Sequence, residues 1–504
     1  MDSLTILPML VCCGILYALS VVIYRLFFHP LAKFPGRKFA AATKWYEFYY
    51  DILKGPGGQF AWEIDRMHDE YGPIVRVNPD EIHIKDPGFY KVLYAGNPTH
   101  RDKYPPAAGM SGTSLGTFGT IEHTVHRKRR AANSYFFSQK AIAEAEGLLQ
   151  ERVQELCDVL YKSYVREEAI ELKLKFLAFT TDTVCQYVFA EPPRLQKDTE
   201  KAKQWQRTIE AVGRITPLIK QSPWLISAAA KVPFPIIERL LPDLGRLLGY
   251  QNHVKEQAYA YINSAQDTKS RDSKSQYTLF DAIRDSSLPP NEKSIDRLAH
   301  EAFVVIVAGG ETTARSLAFA MYHIHANPRV LERLLEELTT AIPNATTPPS
   351  MKSLEKLPYL SAVIKETLRI SAMVTSRLPL VCPEDLVYNE WTPTSMTINS
   401  VLRDPSIFSS PADFQPERWI QHDNQPHELD AYFVAFGKGT RMCQGMNFAW
   451  AELYLAIAIL VRRFKFELFD THRERDIEIA RDYFLGEAAP ESPGVRMVIA
   501  GERP

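Results

Sequence analysis

Apolar residues recur along most of this chain at the three-to-four-residue spacing of helices, and only a few short runs alternate as strands do. From Ser3 to Tyr24, 22 residues carry no charge and are rich in Leu, Val and Ile. As a helix they reach ~33 Å, enough for a bilayer core of about 30 Å. Arg25, Lys33, Arg37 and Lys38 follow, which predicts an uncleaved anchor with the body on the cytoplasmic side. A cleaved signal would carry early basic residues, and the only early charge is Asp2. Two prolines and a glycine in Tyr24–Gly36 predict a stiff hinge rather than a helix.

The alternating runs of Tyr71–Ile84 predict a hairpin. Residues 107–120, AAGMSGTSLGTFGT, predict a flexible surface loop. His126 opens a basic helix that runs to Phe137 and Ser138. Residues 140–290 read as amphipathic helices with polar joints, among them Ile142–Val165, and 266–276 as loop. One long helix is expected over Ser294–Ala326 and a shorter one over Pro358–Ser371. Strands are expected at Leu386–Tyr388 and Ser395–Asn399. Between them, Glu390–Thr394 lacks the Gly or Asn of a tight turn and carries Pro393.

Composition narrows the class. The chain has 504 residues and a net charge of −1, so no global field points to nucleic acid. Its six cysteines, Cys12, Cys13, Cys157, Cys185, Cys382 and Cys443, form no C-x-x-C pair, which fits a reducing compartment. No internal repeat or composition break divides the body.

Candidate chemistry gathers near the end. Phe436 to Gly445 reads F-x-x-G-x-R-x-C-x-G, and Ala449 and Glu452 follow on a helical run. A lone cysteine is usually an inert buried thiol. Five fixed identities at ~5 % usage meet by chance in a chain of this size about once in several thousand cases. Glycines around Cys443 let the backbone turn sharply, so that later N–H groups can face the sulfur. Upstream, Ala308-Gly309-Gly310-Glu311-Thr312-Thr313 lies inside the long helix. Two helix glycines cost roughly 1 kcal/mol each against Ala and most often serve packing. The acid and alcohol directly after them point instead to chemistry, since a threonine can bond back to a helix carbonyl. His323 and His325, two apart, point away from each other and form no metal pair. Glu366 and Arg369 share a helix face, and Pro416-Glu417-Arg418-Trp419 follows.

These four ordered motifs resemble the cytochrome P450 family, over essentially the whole chain. The linker Tyr24–Gly36 is similar to that of fungal members, and the core motifs to their secondary-metabolite enzymes, including those acting on trichodiene. The resemblance implies a mainly α fold: a large helical haem domain with small β-sheets over residues 41–504, an anchor at 1–25 and a Pro-rich hinge at 26–40. It implies haem b, iron protoporphyrin IX, with Cys443 as the axial iron ligand and Arg441, Arg130 and His126 as propionate partners. His126 stands where a Trp is commoner. Phe436 would pack near the sulfur, and Gly437 would shape the loop. Thr312 would be the proton-delivery hydroxyl and Glu311 the acid that feeds it. Glu366, Arg369 and Arg418 would form a buried structural cluster, residues 107–120 would cover the haem pocket, and Thr216–Pro242 would lie over the substrate entrance.

The implied activity is a haem-thiolate monooxygenase of the endoplasmic reticulum, single-pass, acting on a lipophilic terpenoid or polyketide-derived intermediate with O2. No G-x-G-x-x-G follows a strand, so the electron source is a partner; the resemblance implies NADPH–cytochrome P450 reductase, with cytochrome b5 as a second donor. Positive charges beside Arg130 would steer the reductase. Two departures stand out. Leu380 occupies the place of a propionate-binding arginine, and Tyr388–Met396 is about five residues short of the expected hairpin. They motivate an alternative, a catalytically impaired haemoprotein; a further alternative is an oxidase that closes rings or rearranges carbon.

Overall fold

The computed structural model describes residues 3–229, 231–266, 277–382, 393–420 and 428–504. Helices dominate. The first, α1 (Ser3–Ile23), belongs to an apolar run, Pro8–Phe28, with mean hydropathy 2.1 and no part buried against the body. It is long and apolar enough to cross a membrane. The expected hinge contains a helical turn at Tyr24–Phe28 and another at Pro30–Lys33. It is docked rather than free: Leu31 is buried, Arg25 donates to Ala42 O, and Arg76 donates to Arg25 O.

In the body, α2 (His123–Asn133) starts earlier than its basic run and stops before Phe137, because Ser138 caps a separate helix at Gln139–Glu144. The next helix, α3 (Glu146–Val165), is parted from that one at Ala145, so Ile142–Val165 is not continuous. Then come α4 (Leu172–Phe189), α5 (Thr199–Gln221) and α6 (Pro242–Gln266). The central element is α7 (Ile295–Ala326), whose N-cap Ser294 accepts from Arg297 N. It also has the composition of a membrane span, but most of it is buried by neighbouring helices, so it is a core helix. Around it lie α8 (Pro358–Ser371) and α9 (Met446–Arg463).

The glycines of α7 face α4. A Cβ on Gly309 would come within 2.9 Å of Val184, and one on Gly310 within 2.7 Å of Thr181 Oγ1. Thr180 Oγ1 donates to Gly310 O at 2.7 Å. Close helix packing therefore accounts for this pair. His323 stacks on Phe414 while His325 turns to Met321 O, so the two do point apart.

Strands β1 (Ile74–Asn78) and β2 (Glu81–Ile84) form the expected hairpin. With β3 (Asp102–Lys103), β5 (Leu380–Val381) and β6 (Pro393–Ser395) they make a sheet of order β1-β2-β6-β5-β3, in which β2 and β6 run parallel. A second sheet joins β4 (Ile170–Glu171), β10 (Arg496–Glu502) and β7 (Phe464–Leu468); β8 (Arg481–Tyr483) and β9 (Leu485–Glu487) form a ribbon. The strand expected at Ser395–Asn399 ends at Ser395, and Ile398–Leu402 is helical. The expected strand Leu386–Tyr388 and most of the shortened stretch Tyr388–Met396 lie outside the described residues, as does the loop at 267–276.

Glu452 of α9 is fully buried beside α7. Neither carboxyl oxygen completes a hydrogen bond of ordinary geometry. Burial pushes the carboxyl well above its usual range, tempered by Thr313 of α7. Folding then requires Glu452 to keep a proton that the unfolded chain releases above pH 4.5. The associated stability is present at low pH and is lost as pH rises, by about 1.4 kcal/mol per pH unit. Glu452→Gln, which has no proton to lose, should therefore raise the urea midpoint at pH 7, with the gain shrinking towards pH 4.5. Equal midpoints for variant and parent across that range would contradict the assignment.

Candidate active site

Residues 436–445 form a tight loop ahead of α9. Gly437 has φ +68° and its N–H donates to Val434 O at 2.8 Å; Cys443 N donates to Phe436 O at 2.8 Å. Gly439, at φ +74°, lies so close to the backbone of residues 94 and 95 that a Cβ would sit 2.3 Å from Ala95 O. No side chain fits there, which is what the glycine supplies. Phe436 packs on Trp450 of α9, with ring centroids 6.1 Å apart.

The loop leaves Cys443 accessible although protein crowds it on most sides. Burial pushes its thiol up, while the Gly445 N–H and the Arg130 guanidinium act in the other direction by favouring the anion. Arg130, on α2, donates to Met442 O at 2.8 Å. Arg441 turns back on the chain and donates to the carbonyls of Thr120 and Ile121 at 2.8 and 2.6 Å. Desolvation brings its guanidinium down to about 10. His126, one turn before Arg130, is buried, and its Nδ1 has no partner. Burial first, then Arg441, Arg130 and Lys103, hold it down at about 3, so it is neutral at pH 7. The loop and α2 thus bring together Cys443, Arg441, Arg130 and His126.

A second surface belongs to α7. Ala308 is the one exposed residue between Arg297 and His325, and Val304, Val305 and Thr312 beside it are only half-buried. Positions 304, 308 and 312 form one stripe at helical spacing. Thr312 Oγ1 donates to Ala308 O at 2.7 Å without interrupting the helix. Through Thr313 and Glu452, this part of α7 abuts the helix that follows Cys443.

Glu311 points elsewhere. It is buried, with Oε1 3.1 Å from Arg315 Nε and 3.3 Å from Lys173 Nζ, and its Oε2 is bare. Lys173, Arg315, Glu210 and Glu487 line a polar cavity of about 410 Å³. Arg315 follows Glu311 by four residues on one helix and is legible from spacing, whereas Lys173 reaches it from α4 and carries no local signal.

The segment 107–120 is fastened rather than loose. Glu301 of α7 accepts from Thr117 N at 2.8 Å and Thr117 Oγ1 at 2.9 Å, and also from Arg297 and Asn133. Of the basic run on α2, Arg127 and Lys128 are exposed. Arg129 is not available to a partner protein: it is buried in a bidentate pair with Glu292 at 2.6 and 2.8 Å. Glu366 is fully buried; Arg369 donates to both its oxygens at 2.8 Å, Arg418 Nε to one at 3.1 Å and Trp419 Nε1 to the other at 2.8 Å. Leu380, a buried residue of β5, lies opposite Lys103.

The family model described as Cytochrome P450 matches residues 42–490. The tryptophan 6-hydroxylase fscE of Fusarium equiseti is 39 % identical over 96 % of this chain and 95 % of its own length. The N-acetyltryptophan 6-hydroxylase ivoC of Emericella nidulans is 37 % identical, covering 93 % and 92 %. The conidiogenone synthase PchP450 of Penicillium rubens is 35 % identical, covering 97 % and 98 %. Membership implies a haem-iron cofactor, a redox partner, dioxygen and a lipophilic substrate, and the apolar N-terminal run is consistent with membrane anchoring. With a family match spanning most of its length and relatives aligned nearly end to end, the chain belongs to the cytochrome P450 family and is a cytochrome P450 monooxygenase.

Proposed function

We propose that Cys443 is the axial ligand of haem b in a monooxygenase that inserts one atom of O2 into a lipophilic secondary-metabolite intermediate. The observation that carries this reading is the accessible Cys443 sulfur, faced by the Gly445 N–H and the Arg130 guanidinium. The surroundings fit an iron porphyrin. Arg441, Arg130 and the bare Nδ1 of His126 suit its carboxylates, and the uncovered stripe of α7 suits an apolar ligand beside it. When bound, the haem iron supplies dioxygen binding and activation, and a thiolate ligand favours O–O cleavage.

The protein's own groups then divide the work. Gly445 N–H and Arg130 favour the anionic sulfur against the burial that raises its pKa, Gly437 turns the loop, and Phe436 is held over the loop by Trp450. Arg441, Arg130 and His126 orient the cofactor by its acidic edge. Thr312 passes protons at Oγ1, and Glu311 is the acid that feeds it, paired with Lys173 and Arg315, which line the polar cavity. Val304, Val305 and Ala308 exclude water and select apolar substrates. The Glu366–Arg369–Arg418 cluster is structural.

Electrons come from NADPH through NADPH–cytochrome P450 reductase, with cytochrome b5 as a second donor; exposed Arg127 and Lys128 offer the cationic contact. Residues 1–25 anchor the chain in the endoplasmic reticulum membrane, 26–40 form the hinge and 41–504 the cytoplasmic body. The named relatives act on tryptophan and N-acetyltryptophan or bear the name of conidiogenone. Relatedness at this level does not fix a substrate, and terpenoid or polyketide-derived intermediates remain the class proposed here.

Cys443→His should abolish the strongly red-shifted absorbance of the reduced, CO-bound protein; an unchanged spectrum would refute the ligand assignment. Thr312→Ala should keep the cofactor but divert electrons to peroxide, lowering product formed per NADPH consumed. Tight coupling in that variant would show that protons arrive by another path.

A further inference from the structure

One face of α4 packs on the middle of α7. Lys173, Leu177, Thr180, Thr181 and Val184, at helical spacing, meet the stretch from Gly309 to Glu311. The two glycines answer to packing. The Thr180 hydroxyl does not, since a valine methyl would fill the same fully buried space. That hydroxyl has one proton to give and two acceptors at short range. Phe176 O, one turn back on α4, lies at 2.8 Å, and Gly310 O, across the helix interface, at 2.7 Å. Thr183, on the same helix, shows the ordinary case and donates to its own Phe179 O at 2.6 Å.

The carbonyl of Gly310 belongs to the peptide whose N–H is that of Glu311. A peptide is planar, so the direction of Gly310 O sets where the Glu311 side chain leaves the backbone and where Thr312 follows. Two glycines in succession make this the least restrained backbone in α7. Hydroxyls hold it at two points. Thr312 Oγ1 takes Ala308 O at 2.7 Å from within the helix, and Thr180 takes Gly310 O from outside it. The α4 side of this hold is itself fixed. Trp205 of α5 donates from Nε1 to Thr181 Oγ1 at 2.9 Å, and that oxygen lies 2.7 Å from where Gly310 would carry a Cβ. Lys173, two turns before Thr180, reaches Glu311 at 3.3 Å.

We propose that Thr180 is a positioning residue for proton delivery. Through Gly310 O it fixes the peptide that joins Gly310 to Glu311, and so aims the Glu311 carboxyl and the Thr312 hydroxyl. Fully buried between α4 and α7, it acts through the backbone of α7 and not on a bound ligand. The inference rests on the reading of Glu311 and Thr312 as the pair that moves protons.

The test uses the purified full-length holoprotein and compares Thr180→Val, Thr180→Ser and Thr312→Ala with the parent. In hydrogen exchange read by mass spectrometry, the amides of 308–316 should exchange about fivefold faster in Thr180→Val, the effect of losing one hydrogen bond of typical strength. Exchange in α3 and α8 should stay at the parent rate. With purified reductase, NADPH and no added substrate, Thr180→Val should release more peroxide per NADPH than the parent, as Thr312→Ala should. Thr180→Ser keeps the hydroxyl and should match the parent in both measurements. If Thr180→Val does not fold, Thr180→Ala, which also lacks the hydroxyl, takes its place. Unchanged exchange at 308–316, or exchange raised equally in α3 and α8, would overturn the proposal. So would a parent-like peroxide yield from Thr180→Val beside a raised one from Thr312→Ala. A parent-like yield from Thr312→Ala would instead refute the reading of that hydroxyl, and the proposal would fall with it.

Discussion

The Glu366 carboxylate is the fixed point on which the haem side of this fold depends. A buried carboxylate is tolerable only when nearly every lone pair is met. Here Arg369 meets both oxygens, and Arg418, Trp419 Nε1 and Gln415 N fill the rest. The guanidinium of Arg369 in turn collects the carbonyls of Leu402, Pro411 and Asp413. One helix residue therefore sets the path of the chain from 402 to 419. Losing one partner of such a buried pair typically costs about 3–5 kcal/mol, because the remaining charge is stranded. The loop carrying Cys443 follows this segment and is pinned on its far side by Gly439 against residues 94 and 95.

Electrostatics differ sharply between the two sides of α7 and its surroundings. Around Glu366 and Glu311, acids and bases are matched within the protein. Around Cys443, the half-buried guanidinium groups of Arg130 and Arg441 and the buried ammonium of Lys103 have backbone carbonyls as their main partners, and the buried His126 Nδ1 has none. A protein gains nothing from burying cations without anions unless a ligand brings them. That asymmetry, together with an apolar stripe left uncovered in mid-helix, suits a ligand that is apolar over most of its area and acidic at one edge.

The parts of this design that were legible in the sequence are those encoded by local pattern. The long helix over Ser294–Ala326, the span Pro358–Ser371 and the hairpin at 71–84 all matched. The spacing of the cysteine motif placed the loop and its glycine turns. What escaped depends on contacts far apart in sequence. The segment 107–120 reads as loose, yet it is tied through Thr117 to Glu301, 184 residues away. Arg129 reads as a surface charge until Glu292 is brought to it across 163 residues. Lys103 carries no motif at all; only strand register sets it opposite Leu380. Ser395–Asn399 alternates like a strand, but the sheet takes only its first residue and the chain turns into a helix at Ile398.

The central claim is a sulfur–iron bond at Cys443, and iron K-edge X-ray absorption of the purified full-length protein addresses it directly. The account predicts one sulfur scatterer in the first shell of the iron, lost in Cys443→Ser and retained when Cys157, Cys185 and Cys382 are replaced together. A first shell of nitrogen and oxygen alone in the parent, or a sulfur that persists in Cys443→Ser, would contradict it.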